Sequence, residues 1–484
     1  MTSAALAPAA PRGLDPLARL ETLCDRGSVQ LLRTGVRSRR LGDRARDGDG
    51  TLAATGTVGG RPVACYAQDA SFMGGSLGEE HARSQLMVLR LAAEARVPVV
   101  GFVESAGARL QEGLAALSGY GEIFAQIVAL SGRVPQISVI GGTCAGGGAY
   151  APALTDFVVM TEASSMFLTG PGVIREVTGE EVTAGELGGP RVQARNGVCH
   201  LVADDDHAAA LLVRELLGYL PSHSGLRPPR TEPVAAPGGD PGRHVPRDAR
   251  KVYDVRDVAA ELVDGGELLE YGERWARNIV CAFARIDGRP VGIVANQPRR
   301  LGGAIDAEAA QKGARFVRSC HLFGLPLLTL VDTPGFLPGT RQEQSAVIRH
   351  GAKLVHAFAE ARVPKLSVVL RKSFGGAHIA MNSRALGAHL VLAWPDSELG
   401  VMGGAQAVGV VHRRELAAAG DPESMRMSLA SAYADEHLGA RVAAIEGTVD
   451  EVIAPTATRE RLVAALHFLG DKQLDKQPAG NVPL

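Results

Sequence analysis

The sequence predicts an α/β protein made of two copies of one domain, and three observations carry that reading. Short, continuous apolar runs such as VPVVGFV (97–103) and LPLLTLV (325–331) are rich in Val, Ile and Leu. Such runs suit parallel strands buried on both faces. Between them lie helical patterns, EEHARSQLMVLRLAAEA (79–95), AEAAQKGARFVRSCHLF (307–323) and AVIRHGAKLVHAFAEA (346–361), and strands alternating with helices imply βαβ crossovers. Finally, the chain repeats itself. VPQISVIGGTCAGG runs from Pro135 to Gly146–Gly147, and VPKLSVVLRKSFGG runs from Pro364 to Gly375–Gly376, with an offset of 229 residues at the proline and at the glycines. VPVVGFVESAG and LPLLTLVDTPG likewise share the interval from Pro98 to Gly107 and from Pro326 to Gly335. Two registers kept together point to an internal duplication.

At 484 residues the chain exceeds the size at which one core stops growing, so two domains are expected. A Pro-, Gly- and charge-rich stretch without apolar periodicity separates them. The domains are expected at 1–230 and 251–484, with 231–250 as linker. TRERLVAALHFLGDK (458–472) reads as the closing helix, and QLDKQPAGNVPL as a flexible tail. A formal net charge of −1 argues against a nucleic-acid binder that works by bulk charge. The six cysteines are scattered with no CxxC pair, which disfavours a zinc ribbon or a disulfide framework. The N-terminus lacks a basic region followed by an apolar one, and no run approaches the roughly 18 apolar residues of a membrane span. A reduced, cytoplasmic protein off the membrane is expected.

The chemistry is expected where the duplicated strands end, at CAGGGAYAPAL (144–154) and FGGAHIAMNS (374–383). Small residues at a strand-to-helix turn leave backbone N–H groups open at a helix start, where they favour a negative oxygen. One such turn per half gives two preorganised oxyanion holes. The alternative is that the glycines only let helix and strand pack closely. GGTCAGGGAY lacks the Lys-Ser/Thr ending of a phosphate-binding loop, and no GxGxxG opens a βαβ unit. Ala and Cys stand where a nucleophile elbow needs Ser. Cys144 reads either as a nucleophile or, more ordinarily, as inert core. No histidine pair has metal-ligand spacing, so no metal is expected. Oxyanion stabilisation without an evident acid, base or metal fits a reaction whose base arrives with a cofactor, such as a biotin nitrogen.

GGSLGEEHARS (74–84), ESAGARLQEGL (104–114), GYGEIF (119–124), PQISVIGGTCAGGGAYAPALTDF (135–157) and FLTGPGVIREVTGEEVTAGELGG (167–189) resemble carboxyltransferase β subunits of the propionyl-CoA carboxylase type. So do ANQP (295–298), FVRSCHLFGLPLLTLVDTPGFLPGTRQE (316–343), IRHGAKLVHAFAEARVPK (348–365) and GVMGGAQAVGVVHRREL (400–416). The resemblance implies tandem crotonase-like spiral domains. It implies acyl-CoA on the N-terminal domain and carboxybiotin on the C-terminal domain of a neighbouring subunit in a ring-shaped homo-hexamer. The coenzyme A thioester is then the substrate, and biotin is carried by a separate α subunit holding biotin carboxylase and biotin carrier.

Carried onto this chain, the resemblance makes Gly146 and Gly147 one oxyanion hole and Gly376 and Ala377 the other. Arg109, Ala145, Gly148, Tyr150, Gly375 and Ile379 become substrate-side residues, with Arg109 either structural or a CoA contact. Ile379, apolar and stiff at χ1, is expected to form a dry wall at the acyl end. Departures are Glu104 and Ala106 in ESAGAR, where DSGGAR is usual, His378 in place of an aromatic, and DEHLGARVAA (435–444) near the C-terminus. Two other readings stay open, a decarboxylase component running the transfer from a malonyl-type CoA, and a catalytically silent scaffold.

Overall fold

The computed structural model describes residues 13–248 and 250–470. The chain divides into two units, the first ending at Leu226 and the second beginning at Arg227. In the first, eight strands form one sheet: β1 (Gln30–Leu32), β2 (Thr51–Val58), β3 (Arg61–Gln68), β4 (Val99–Ser105), β5 (Gln136–Ala145), β6 (Phe157–Thr161), β7 (Ser165–Phe167) and β8 (Leu201–Ala203). Their order is β1-β2-β3-β4-β5-β6-β8, with β7 added beside β5. The second unit repeats the plan with β9 (Leu269–Tyr271), β10 (Ile279–Ile286), β11 (Arg289–Asn296), β12 (Leu327–Thr333), β13 (Lys365–Phe374), β14 (Leu390–Ala393), β15 (Glu398–Gly400) and β16 (Glu451–Val452). Its order is β16-β14-β13-β12-β11-β10-β9, with β15 beside β13.

The duplication reaches individual hydrogen bonds. Each sheet carries an antiparallel hairpin, β2–β3 and β10–β11, and is parallel from β3 or β11 onward. Gly59-Gly60 and Asp287-Gly288 join the hairpins with positive φ at both residues, the geometry that matches strand twist in a two-residue loop. The Asp25 carboxylate accepts both amides of the first loop, and Asp264 accepts both of the second. Each aspartate is held by an arginine of its unit's last described helix, Arg214 at 2.9 Å and Arg459 at 2.6 Å. The parallel pairing of β4 with β5 breaks register between Val103 and Ser105, and that of β12 with β13 breaks between Val331 and Thr333.

The expected helices are present at Glu79–Ala95, Ala307–Leu322, Val347–Glu360 and Thr458–Leu469. Strands β12 and β13 are buried almost throughout, as their continuous apolar runs require. The expected tail lies outside the described residues. The Pro- and Gly-rich stretch that the sequence sets aside as a linker runs along the second unit. There Thr231 N–H donates to Gly288 O (3.0 Å), and Gly239 N–H to Glu261 Oε2 (2.8 Å). Arg371 Nη1 donates to the Asp248 carbonyl (3.2 Å). Backbone groups with so few side chains to cover them take partners from the elements beside them, a hairpin loop, a helix and strand β13.

Candidate active site

Strand β5 runs past the apolar run to Ala145, because its last residues pair with β7: Thr143 with Ser165, Cys144 with Met166 and Ala145 with Phe167. The turn therefore falls on Gly146 alone, at φ 60 and ψ −130, a conformation that only glycine adopts without strain. Its N–H is shared between the carbonyls of Phe167 (3.2 Å) and Leu168 (3.1 Å). The helix Gly147–Leu154 starts immediately. The amides of Gly147 and Gly148 have no acceptor among the described residues, as expected for the first residues of a helix. The sequence names Gly146 and Gly147 as donors here. The geometry instead makes Gly146 the hinge and leaves Gly147 and Gly148 with open N–H groups.

Close packing explains why these two are glycines. A Cβ at Gly147 would lie 2.9 Å from Tyr120 ring carbons, and one at Gly148 would lie 3.1 Å from Ser105 Cβ. Tyr150, one turn into the helix, is half-exposed, and its ring meets Phe124 edge-on at 6.1 Å.

In the second unit β13 ends at Phe374 after pairing with β15. Gly375, at φ 59, turns the chain into the helix Gly375–Ala380. Gly376 follows Gly147, and Ala377 follows Gly148, by 229 residues, and their amides also lack an acceptor among the described residues. With six residues this helix has little dipole to offer, which leaves the two amides as the groups that could hold an anion. Gly376 is exposed and has room, since the nearest atom to a Cβ there would be a Phe336 ring carbon at 3.7 Å. The same ring would meet a Cβ at Gly351 at 3.1 Å, so Phe336 lies against both glycines. Ala377 is fully buried, while Ile379 is 46% exposed and occupies the position equivalent to Tyr150. His378 Nδ1 lies 2.9 Å from the buried Ser373 Oγ, and burial pushes its imidazole below the ordinary histidine range.

Arg109 is placed differently from a substrate contact. Its side chain is wholly inaccessible, and it bonds the Asp49 carboxylate, Glu112 Oε1 (2.8 Å) and the carbonyls of Asp49 (3.1 Å) and Ser76 (3.0 Å). Cys144 is buried, and burial pushes its thiol up to about 12, so it is core rather than nucleophile. Sequence reasoning gave no role to Tyr120, Ser105 or Phe336, although GYGEIF, ESAG and DTPGF all stood among the singled-out motifs. Among the described residues no cluster of His, Cys, Asp and Glu could hold a metal ion. No described helix is long and apolar enough to cross a membrane.

Comparison with known proteins agrees with this architecture. A family model described as the carboxyl transferase domain matches residues 13–481. The propionyl-CoA carboxylase carboxyltransferase subunit of Haloferax mediterranei is 48% identical, with 90% of this chain and 86% of that protein covered. The methylmalonyl-CoA carboxyltransferase 12S subunit of Propionibacterium freudenreichii subsp. shermanii is 47% identical over 90% of this chain and 84% of the relative. Among solved structures, the transcarboxylase 12S hexamer with methylmalonyl-coenzyme A and methylmalonic acid bound superposes with a TM-score of 0.93. It is 44% identical, and the match covers 98% of this chain and 92% of that one.

Proposed function

Because the chain belongs to the carboxyl transferase domain family, as a carboxyltransferase subunit of the biotin-dependent acyl-CoA carboxylases, we propose that its two glycine turns are the oxyanion sites of the transfer. The observation that carries this reading is the same pair of open amides, in the same register, at the end of β5 and of β13. Gly147 and Gly148 donate to the thioester oxygen as the α-carbon gives up its proton and charge moves onto the enolate. Preorganised donors of this kind are worth most where charge develops. Gly376 and Ala377 hold the ureido oxygen of carboxybiotin. That group, brought by a biotinylated α subunit, would supply the carboxyl as CO2 for the enolate carbon and, once freed of it, a ureido nitrogen basic enough to take the α-proton. The room above Gly376, where the nearest atom to an added Cβ is a Phe336 ring carbon, fits a flat ureido ring gripped by backbone amides.

On this reading acyl-CoA binds the N-terminal unit, carboxybiotin binds the C-terminal unit of a neighbouring copy, and the copies form a homo-hexamer. Ile379 lines the acyl end, where one methylene changes affinity by only about 1–3 kcal/mol, so acetyl-, propionyl- and longer acyl groups compete for one pocket. The test mixes the protein with a biotinylated partner, ATP and bicarbonate and presents acetyl-, propionyl-, butyryl- and hexanoyl-CoA. Carboxylation of at least one, dependent on ATP, is expected. Release of CO2 from a malonyl-type CoA without any ATP-driven carboxylation would replace the reading with the decarboxylase one.

A further inference from the structure

The helix Leu114–Leu130 brings Tyr120 beneath the first glycine turn. Its ring carbons would lie 2.9 Å from a Cβ at Gly147, and its hydroxyl 3.5 Å from one at Gly148. That hydroxyl lies 3.3 Å from Ser105 Oγ, and Ser105 Oγ accepts the N–H of Gly107 at 3.2 Å. Ser105 is the last residue of β4 and pairs with Cys144 just after the register break. Both side chains are buried, Tyr120 at 5% exposure and Ser105 at 0%. The pair thus ties three things together: the end of β4, the Gly107 bend that follows it, and the underside of the two open amides. Tyr120 also packs on Phe124, with ring centroids 5.7 Å apart, which fixes its ring from the side of its own helix.

We infer that Tyr120 and Ser105 are positioning residues of the transfer reaction, setting the height and direction of the Gly147 and Gly148 amides. The inference rests on the oxyanion reading above. Neither side chain touches substrate. The ring is a flat floor under residues that can bear no side chain, and the hydroxyl locks that floor to the neighbouring strand. Burial pushes the Tyr120 phenol up to about 12, so the hydroxyl keeps its proton throughout the neutral range. Small displacements of preorganised groups are costly, with about 1 Å of misplacement lowering rate by as much as 10²-fold.

The test measures the transfer of carboxyl from methylmalonyl-CoA to biotin, offered both as free biocytin and on the biotinylated partner subunit. Tyr120→Phe removes the hydroxyl and keeps the floor; Ser105→Ala removes its hydrogen-bond partner; Ser105→Thr restores a hydroxyl. Each of the first two is expected to lower kcat on the order of 10-fold, with KM for the CoA ester near the parent's. The melting temperature should stay near the parent's in Tyr120→Phe and fall in Ser105→Ala, which strands the buried Gly107 N–H. The double variant should be no slower than the slower single one, as for residues acting as one unit. Ser105→Thr should recover kcat, and the ratio of Tyr120→Phe to parent should stay flat across the neutral pH range. Parent-level kcat in folded Tyr120→Phe and Ser105→Ala, or rate losses that only follow the melting temperature, would overturn the inference. If Gly376→Pro abolishes transfer while Tyr120→Phe does not slow it, the positioning role fails and the oxyanion reading stands. If Gly376→Pro leaves transfer intact, the oxyanion reading itself has failed.

Discussion

Arg109 joins four groups while carrying its charge where no water reaches. Removing it strands the Asp49 and Glu112 carboxylates in the interior, and breaking a buried pair in this way costs about 3–5 kcal/mol. Arg109→Met is therefore expected to lower the unfolding free energy by that amount in denaturant titrations. A CoA contact would instead raise KM and leave stability alone. The motif ESAGARLQEG marked this residue as important but could not say which way its side chain faces. That direction is decided by Asp49, sixty residues earlier, at the 3-10 turn before β2. Which amides of the first turn stay without an acceptor was legible only to within one residue, for a similar reason. CAGGGAY shows where small residues gather, but the engagement of Gly146 depends on the carbonyls of Phe167 and Leu168.

At the scale of elements, the helix Glu79–Ala95 buries His81 completely. Its Nε2 faces the side-chain amide of Gln85 at 3.0 Å, and burial, with the nearby Arg109 charge, pushes the imidazole down to about 3. Between about pH 3 and the ordinary histidine value near 6.5, the unfolded chain binds a proton here that the folded chain refuses. The unfolded state thus holds more protons, so stability rises with pH across that window and is lost as pH falls below about 6.5, by up to about 1.4 kcal/mol per unit. Equilibrium unfolding of His81→Gln and parent from pH 7 to pH 4 is expected to show a shallower loss in the variant; parallel curves would remove His81 as the cause. The helices at Glu79–Ala95, Ala307–Leu322 and Val347–Glu360 could be read almost to the residue, because an amphipathic period persists through them. Those at Leu114–Leu130, Asp206–Tyr219 and Pro422–His437 were not singled out. The ends of β5 and β13 could not be read. Their extra residues pair with β7 and β15, three-residue strands too short to leave a pattern.

Over the whole molecule, the duplication seen in two sequence registers extends to sheet order, hairpin anchors and the two register breaks. Proline and glycine positions revealed it because turns tolerate few substitutes. The anchoring pairs Asp25–Arg214 and Asp264–Arg459 stayed hidden, since their spacings differ between the halves. If the carboxyl and the enolate are held by turns on different copies, activity requires assembly. Sedimentation of the active protein is expected to give a six-chain particle, and a fully active monomer would contradict that.

On the proposed reading, backbone N–H groups in both turns, and no side chain, carry the oxyanions of the transfer. Gly376 tests it most directly because its surroundings leave space for a side chain, the nearest atom to an added Cβ being 3.7 Å away. Gly376→Ala keeps the amide, whereas Gly376→Pro removes it, and the kcat ratio of the two folded proteins isolates the N–H. Transfer in Gly376→Pro is expected to be slower than in Gly376→Ala by on the order of 10²–10³-fold. Equal kcat in the two variants would contradict it.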